Sequence, residues 1–215
     1  MKKQVILASG SPQRADILRE LGIDFKAISM DVDEVVLSTP EATVQENARL
    51  KALTAHSKFP NDVIIAADTV ISHAGKVLGK PKDAEEAQNL LSAMSGNDAK
   101  AVSAVAVINA TTQQGCIATE IAVARIRELT NEDISWYIGT GEPMTRAGSL
   151  GISRYGEIFI ERIEGSYSCF SGLPKRALLA ALARIGLAGE ILPNGLSKNP
   201  RITAQGLTIT EIQLG

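Results

Sequence analysis

Val5-Ile-Leu-Ala-Ser-Gly-Ser-Pro-Gln-Arg14 is an apolar run that halts on small polar residues and then opens a helix. Val5 to Ala8 have the length and composition of a short buried strand. Ser9-Gly10 form a tight turn, Ser11 is placed as an N-cap, and Pro12 sits where the first helical position has no use for an N–H. Behind the turn, Ile17, Leu18 and Leu21 share one helical face and Gly22 ends the helix. A helix N-terminus carries partial positive charge, so with Arg14 beside it the turn forms a cradle for an anion. The Walker pattern of glycines, Lys and Ser/Thr is absent, so this is no P-loop, and the same residues also fit an ordinary strand-to-helix turn.

Outward from this stretch the chain alternates strands and helices. Phe25 to Met30 reads as a second strand running into the acidic Asp31-Val-Asp-Glu34, which by spacing alone is also a solvated turn. Thr43 with Glu46 resembles a capping box for a helix through Lys51 to about His56. Val63 to Ala67 is the most apolar segment and reads as a central strand buried on both faces, with Asp68-Thr69 at its end. Ile71 to Leu78 reads as a hairpin leading into Gly79-Lys-Pro81, and Asp83 caps a helix over 84–94. Lys100 to Asn109 and Cys116 to Ile126 alternate as paired strands, and Thr130 with Asp133 opens a short helix on which Trp136 is expected in the core. The segment 157–163 alternates apolar and charged residues, and Lys175 to Ile185 is the last helix. Residues 189–215 change character and read as an irregular tail or a strand that pairs elsewhere, on its own sheet or a neighbouring subunit's. The expected fold is α/β, a mixed sheet flanked by helices.

Composition bounds the partners. A chain of 215 residues with 45% hydrophobic residues and no linker-like stretch suits one domain. A net charge of -2 and 4% aromatic residues give no electrostatic or stacking footprint for nucleic acid. No apolar run approaches the ~20 residues needed to cross a bilayer. Cys116 and Cys169 are too few for a disulfide framework, so a reducing, cytoplasmic setting is expected.

Leu7-Ala-Ser-Gly-Ser-Pro-Gln-Arg14, Asp31-Val-Asp-Glu34, Lys51-Ala52, Ala67-Asp-Thr-Val70, Gly79-Lys-Pro81, Gly139-Thr-Gly-Glu-Pro143, Ala147-Gly148 and Gly172-Leu-Pro174, in this order, closely resemble the Maf family of nucleoside triphosphate pyrophosphatases. The resemblance places a family domain over residues 1–188, with 189–215 as a tail outside it. It implies an elongated single α/β domain around a mixed, twisted sheet with a nucleotide cleft, commonly a homodimer. It also implies hydrolysis of nucleoside triphosphates, modified ones included, to the monophosphate and pyrophosphate with Mg²⁺ or Mn²⁺. Members are linked to cell-division arrest and nucleotide-pool cleaning. By position, Asp68 matches the proton acceptor for the attacking water, Ser9, Arg14, Lys51 and Lys80 match phosphate-binding residues, and Glu34 and Asp68 match the acids that hold the metal. Cutting between phosphates calls for a positioned water, a cation among the phosphate oxygens and further cations on the leaving group, which this set supplies.

Gln13, Thr69 and Ser153 align with the positions that separate the family's substrate branches. Thr69 matches the branch that prefers dTTP and UTP, whereas Gln13 stands where a second basic residue is common and Ser153 where a Gln is common. Ala99 replaces a common His. A serine is too short to reach a base edge as Gln does, so looser base discrimination, or use of Arg154, is expected. These departures keep a second class open, a nucleotide-binding regulator of cell division with little turnover.

Overall fold

Val5–Leu7 forms strand β1, buried throughout, and Ser11 accepts the Arg14 N–H with its side chain to start helix α1, Pro12–Glu20. This is a computed structural model, and it describes residues 4–152, 154–193 and 206–214. The expected second strand contracts to Lys26–Ala27, β2, beside β1. Helix α2, Pro40–Lys58, begins three residues before the expected Thr43. Thr39 caps it by accepting the Ala42 N–H with Pro40 following, while Glu46 pairs with Arg49 instead of closing a box, so the cap falls where proline has preset the helical φ. Strand β3, Val63–His73, turns into β4, Lys76–Leu78, and Asp83 caps α3, Ala84–Met94. Strands β5, Asp98–Asn109, and β6, Gln114–Ile126, form the long antiparallel pair, and a capping box of Thr130 and Asp133 opens α4, Asn131–Gly139.

Where the sequence suggests approach to another strand at 146–148, the chain makes two 3-10 turns, Pro143–Thr145 and Ala147–Ser149. A third, Tyr155–Phe159, replaces the first half of the expected alternation before β7, Ile160–Glu164. Helices α5, Tyr167–Phe170, α6, Lys175–Arg184, and α7, Ala188–Ile191, follow, and the tail returns as β8, Thr208–Ile212, on its own sheet.

One eight-stranded mixed sheet results, in the order β2-β1-β3-β5-β6-β7, with β4 on β3 and β8 on β6. Helices α1 and α6 cover one face through Leu18, Leu178 and Leu182. Helix α2 covers the other through Ala48, Ala52 and Ala55, all fully buried, and these small residues let its backbone lie close on Ile64 and Ala66. Trp136 is not in the core: it is 49% exposed and packs edge-on against Tyr155 and Phe159, while its neighbour Tyr137 takes the buried position.

The register around β3 creates the opening that matters. Strand β5 occupies one edge of β3 along 63–72, so β1, at Val63–Ile65, and β4, at Ile71–His73, share the other. Between them the edge of β3 at 66–70 carries no strand, and Asp68 and Thr69 lie in that gap. Successive side chains leave a strand on opposite faces, so Asp68 turns toward α2 and Thr69 toward the α6 side.

Candidate active site

Asp68 is 6% exposed and Lys51 8%. The Lys51 ammonium donates to Asp68 Oδ1 at 2.7 Å and lies 2.6 Å from Glu34 Oε1, so one cation bridges two carboxylates. Glu34, with a side chain 58% exposed, stands at the mouth. The other oxygen of Asp68 accepts from Asn47 Nδ2 at 3.2 Å. Asn47 is itself fixed by Val35, whose N–H it accepts at 2.9 Å and to whose carbonyl it donates at 3.1 Å. The acidic turn 31–34 is thereby tied to α2, and Asn47 and Lys51, one helical turn apart, both reach Asp68 in the middle of β3, since that strand continues through Asp68 and Thr69 to His73 and does not end at Ala67 as the sequence suggests. Sequence reading misses Asn47; its spacing of four from Lys51 is the signal that marks it.

At the strand-to-helix turn, Ser9 Oγ accepts from the Ser11 N–H at 3.2 Å and from Arg14 Nη1 at 3.1 Å. Both acceptor positions are used, so the Ser9 proton is left to donate outward. The Arg14 Nε donates to the Gly172 carbonyl at 2.8 Å, joining α1 to the loop before α6. Burial lowers the Arg14 pKa, and the carboxylates of Asp68 and Glu34 oppose that shift. The cationic form is thus held in a partly desolvated place, where a charged group acts more strongly on a bound anion.

Two cavities meet at Arg14. The smaller, about 170 Å³, is lined by Ser9, Gly10, Arg14, Glu34 and Lys51. The larger, about 330 Å³, is lined by Gln13, Arg14, Thr69, Lys80 and Arg146 with apolar walls including Leu150 and Phe170. The structure thus brings Ser9, Arg14, Glu34, Lys51 and Asp68 together, and gathers Gln13, Thr69 and Lys80 on the other side of Arg14. Ser153 lies outside the described residues. Gly148, at φ +65°, donates its N–H to the Gly79 carbonyl at 2.9 Å, which ties the residue before Lys80 to the far wall.

Thr69 is oriented by a residue that sequence alone does not single out. Its Oγ1 lies 2.5 Å from Ser103 Oγ, and Ser103 Oγ donates to the Asp68 carbonyl at 3.3 Å. A serine has one hydroxyl proton. Both contacts are hydrogen bonds together only if Thr69 donates to Ser103, which leaves lone pairs on Thr69 as the acceptors facing the cavity. No local signal marks Ser103, because its pairing with Thr69 across β3 and β5 is a matter of register.

The fold is thus a doubly covered α/β sheet with an interrupted edge, and the site is a buried carboxylate in that interruption with Lys51 and Arg14 close by. A model of the family described as Maf-like protein matches residues 4–185, and the chain belongs to this family. It is 36% identical over 189 residues to the dTTP/UTP pyrophosphatase of Dictyoglomus thermophilum, covering 86% of this chain and 98% of that protein. Over 173 residues it is 40% identical to the dTTP/UTP pyrophosphatase of Pyrococcus furiosus, covering 80% of this chain and 90% of that one. The dTTP/UTP pyrophosphatase of Anaeromyxobacter dehalogenans is 39% identical over 193 residues, covering 86% and 96%. Among the described residues no helix is long and apolar enough to cross a membrane.

Proposed function

We propose that this protein hydrolyses nucleoside triphosphates, dTTP and UTP foremost, to the nucleoside monophosphate and pyrophosphate. The observation that carries the reading is Asp68, a buried carboxylate held between Lys51 and Asn47 where the edge of β3 is uncovered, with Arg14 spanning the two cavities on either side. Asp68 takes the proton of the attacking water, a role for which a fixed, hydrogen-bonded carboxylate is suited. Ser9 donates its free hydroxyl proton to a phosphate oxygen, and Arg14, Lys51 and Lys80 offset the charge of the phosphate chain. As nucleotide phosphates approach, the Lys51 ammonium is drawn from its two carboxylates toward them, which frees Asp68 Oδ1 for the water.

The donor set suits a divalent cation with hard oxygen ligands. Glu34 and Asp68 reach the same ammonium at 2.6 and 2.7 Å, so their oxygens converge on one region. Among the described residues no three His, Cys, Asp or Glu side chains are placed to hold a metal ion by themselves. Two carboxylates with water and substrate phosphates completing the shell is the usual arrangement for Mg²⁺, and Mn²⁺ accepts the same ligands. When bound there, such an ion offsets charge on the phosphate oxygens and lowers the pKa of a coordinated water.

The test is a panel of nucleoside triphosphates incubated with the protein and Mg²⁺ or Mn²⁺, with pyrophosphate and monophosphate measured as products. Release of both in equal amounts, fastest from dTTP and UTP, is expected. Nucleotide binding without either product would replace this reading with that of a regulatory nucleotide-binding protein.

A further inference from the structure

Three polar side-chain atoms that are buried without a hydrogen-bond partner, Glu142 Oε1, Arg146 Nε and Ser149 Oγ, fall within one loop against the larger cavity. The loop is otherwise tightly fixed. Glu142, 6% exposed, accepts the Tyr155 N–H with Oε2 at 2.9 Å, and the Gly151 N–H donates to the Tyr137 hydroxyl at 2.9 Å. A Cβ on Gly151 would overlap Glu142 Oε1, and one on Gly156 would overlap the Gly151 carbonyl, so both positions need glycine. Ser149 holds φ +59°, a conformation that non-glycine residues adopt only when their surroundings impose it. Buried polar groups in folded proteins are nearly always satisfied. Glu142 and Ser149 do not themselves line the cavity, so what this loop offers a ligand entering there is the remaining guanidinium donors of Arg146.

Arg146 is the member of this set that lines the cavity. Its Nη2 lies 3.5 Å from Glu142 Oε1, close enough for the buried carboxylate to balance its charge though not to saturate its donors. The ion pair as a whole carries no net charge, while its guanidinium still offers N–H donors in a fixed plane. That suits a neutral carbonyl acceptor better than a phosphate, whose charge is met by Arg14, Lys51 and Lys80. Across the same cavity Thr69 presents an acceptor, as the Ser103 contact dictates.

We propose that Arg146, positioned by Glu142, donates to a carbonyl oxygen of a bound uracil or thymine while Thr69 accepts the ring N–H beside it, so that the pair reads the imide edge of the base. The proposal rests on the nucleoside triphosphate reading above and adds to it the residue that recognises the base. Uracil and thymine carry a ring N–H donor flanked by two carbonyl acceptors. Cytosine replaces that donor with a lone pair, which would face the lone pairs of Thr69, and a site built to pair with a donor rejects a ligand that lacks it.

Binding to the full-length chain by calorimetry tests this with UMP, CMP, ribose 5-phosphate and inorganic pyrophosphate, on wild type, Arg146→Gln and Arg146→Lys, each checked for a cooperative melt. Wild type should bind UMP about tenfold or more tightly than CMP, the scale of one net hydrogen bond. Arg146→Gln should weaken UMP about tenfold and leave pyrophosphate and ribose 5-phosphate unchanged. Arg146→Lys should behave alike, because an ammonium does not reproduce the planar donor array. Equal losses for UMP and pyrophosphate would make Arg146 a phosphate ligand and overturn the proposal, as would unchanged UMP binding in both variants, which would make it a loop clasp. Equal wild-type affinity for UMP and CMP overturns it without any variant. A wild type that binds pyrophosphate but does not distinguish bases removes only the base assignment, whereas one that binds neither UMP nor pyrophosphate removes the underlying reading as well.

Discussion

Asp68→Asn should cost both turnover and stability, and the structure says why the swap is not silent. Asp68 receives two donors, Lys51 Nζ on one oxygen and Asn47 Nδ2 on the other. An asparagine has one acceptor oxygen and one NH₂. If its oxygen faces Lys51, its NH₂ meets the Asn47 NH₂; the reverse orientation places NH₂ against an ammonium. Asn47 has no freedom to turn and accept, because a flip would set its oxygen against the Val35 carbonyl and its NH₂ against the Val35 N–H. One charge-assisted hydrogen bond is lost in a buried place, which corresponds to roughly 1.5–3 kcal/mol. Taking about 2 kcal/mol, a chain of this length should melt about 4–8 °C lower. Turnover should fall by about 10² to 10⁴, the scale for removing a positioned base. The assays are thermal melting, pyrophosphate release, and a double-mutant cycle with Asn47→Ala. In the background of the Asp68→Asn variant the alanine also relieves the facing donors, so it should cost at least about 1 kcal/mol less than in wild type. Additive effects, or an Asp68→Asn variant that melts within about 1 °C of wild type, would show that the Asn47 amide is not locked as described. Retained turnover would show that Asp68 is not the base.

Two further perturbations test other parts of the fold. Ile212→Ala, which truncates a side chain of β8 that is 6% exposed within the α2-side core, should destabilise by about 2–3 kcal/mol and lower Tm by about 4–12 °C, measured by melting; an unchanged Tm would detach β8 from the folded unit. Glu120 is 2% exposed with Oε2 unpartnered, and burial pushes its pKa up against the opposing charge of Arg176. A raised folded pKa means its contribution to stability is fully present below the ordinary glutamate pKa of about 4.3 and is lost as pH rises through the folded value. Denaturation from pH 4 to 8 should therefore show that decline in wild type and a smaller one in Glu120→Gln, and identical profiles would refute the assignment.

Much of the site is legible because it is local. The strand, turn and capped helix of 5–20 depend on contacts a few residues apart, and so do the caps at Asp83 and Thr130, where the structure agrees with the sequence. For α2 the sequence pattern points to the wrong threonine, because Glu46 has a nearer partner in Arg49 than the box requires. The pattern of a short helix also does not say which of two adjacent aromatics faces inward, so Trp136 is expected in the core; both rings touch Phe159, but it is Tyr137 that is fully buried, with its hydroxyl accepting the Gly151 N–H.

By itself, then, the sequence determined the α/β alternation, the strand, turn and capped helix of 5–20 and, through the family's pattern, which acids and cations to look for together. Tertiary structure decided how they meet. The Arg14 bond to the Gly172 carbonyl joins residues 158 apart in sequence, and the Thr69–Ser103 pair exists only in one register of β3 on β5. The gap between β1 and β4 that leaves Asp68 and Thr69, on opposite faces, without a neighbouring strand on that edge likewise depends on where two separate strands stop along a third. So does the return of the tail as β8 on the outer edge of β6. Short-range propensity and capping act over a few residues and are written in their order, whereas strand register is set by the packing of whole faces, so a one-residue slip would have changed every one of these pairings without altering any local signal.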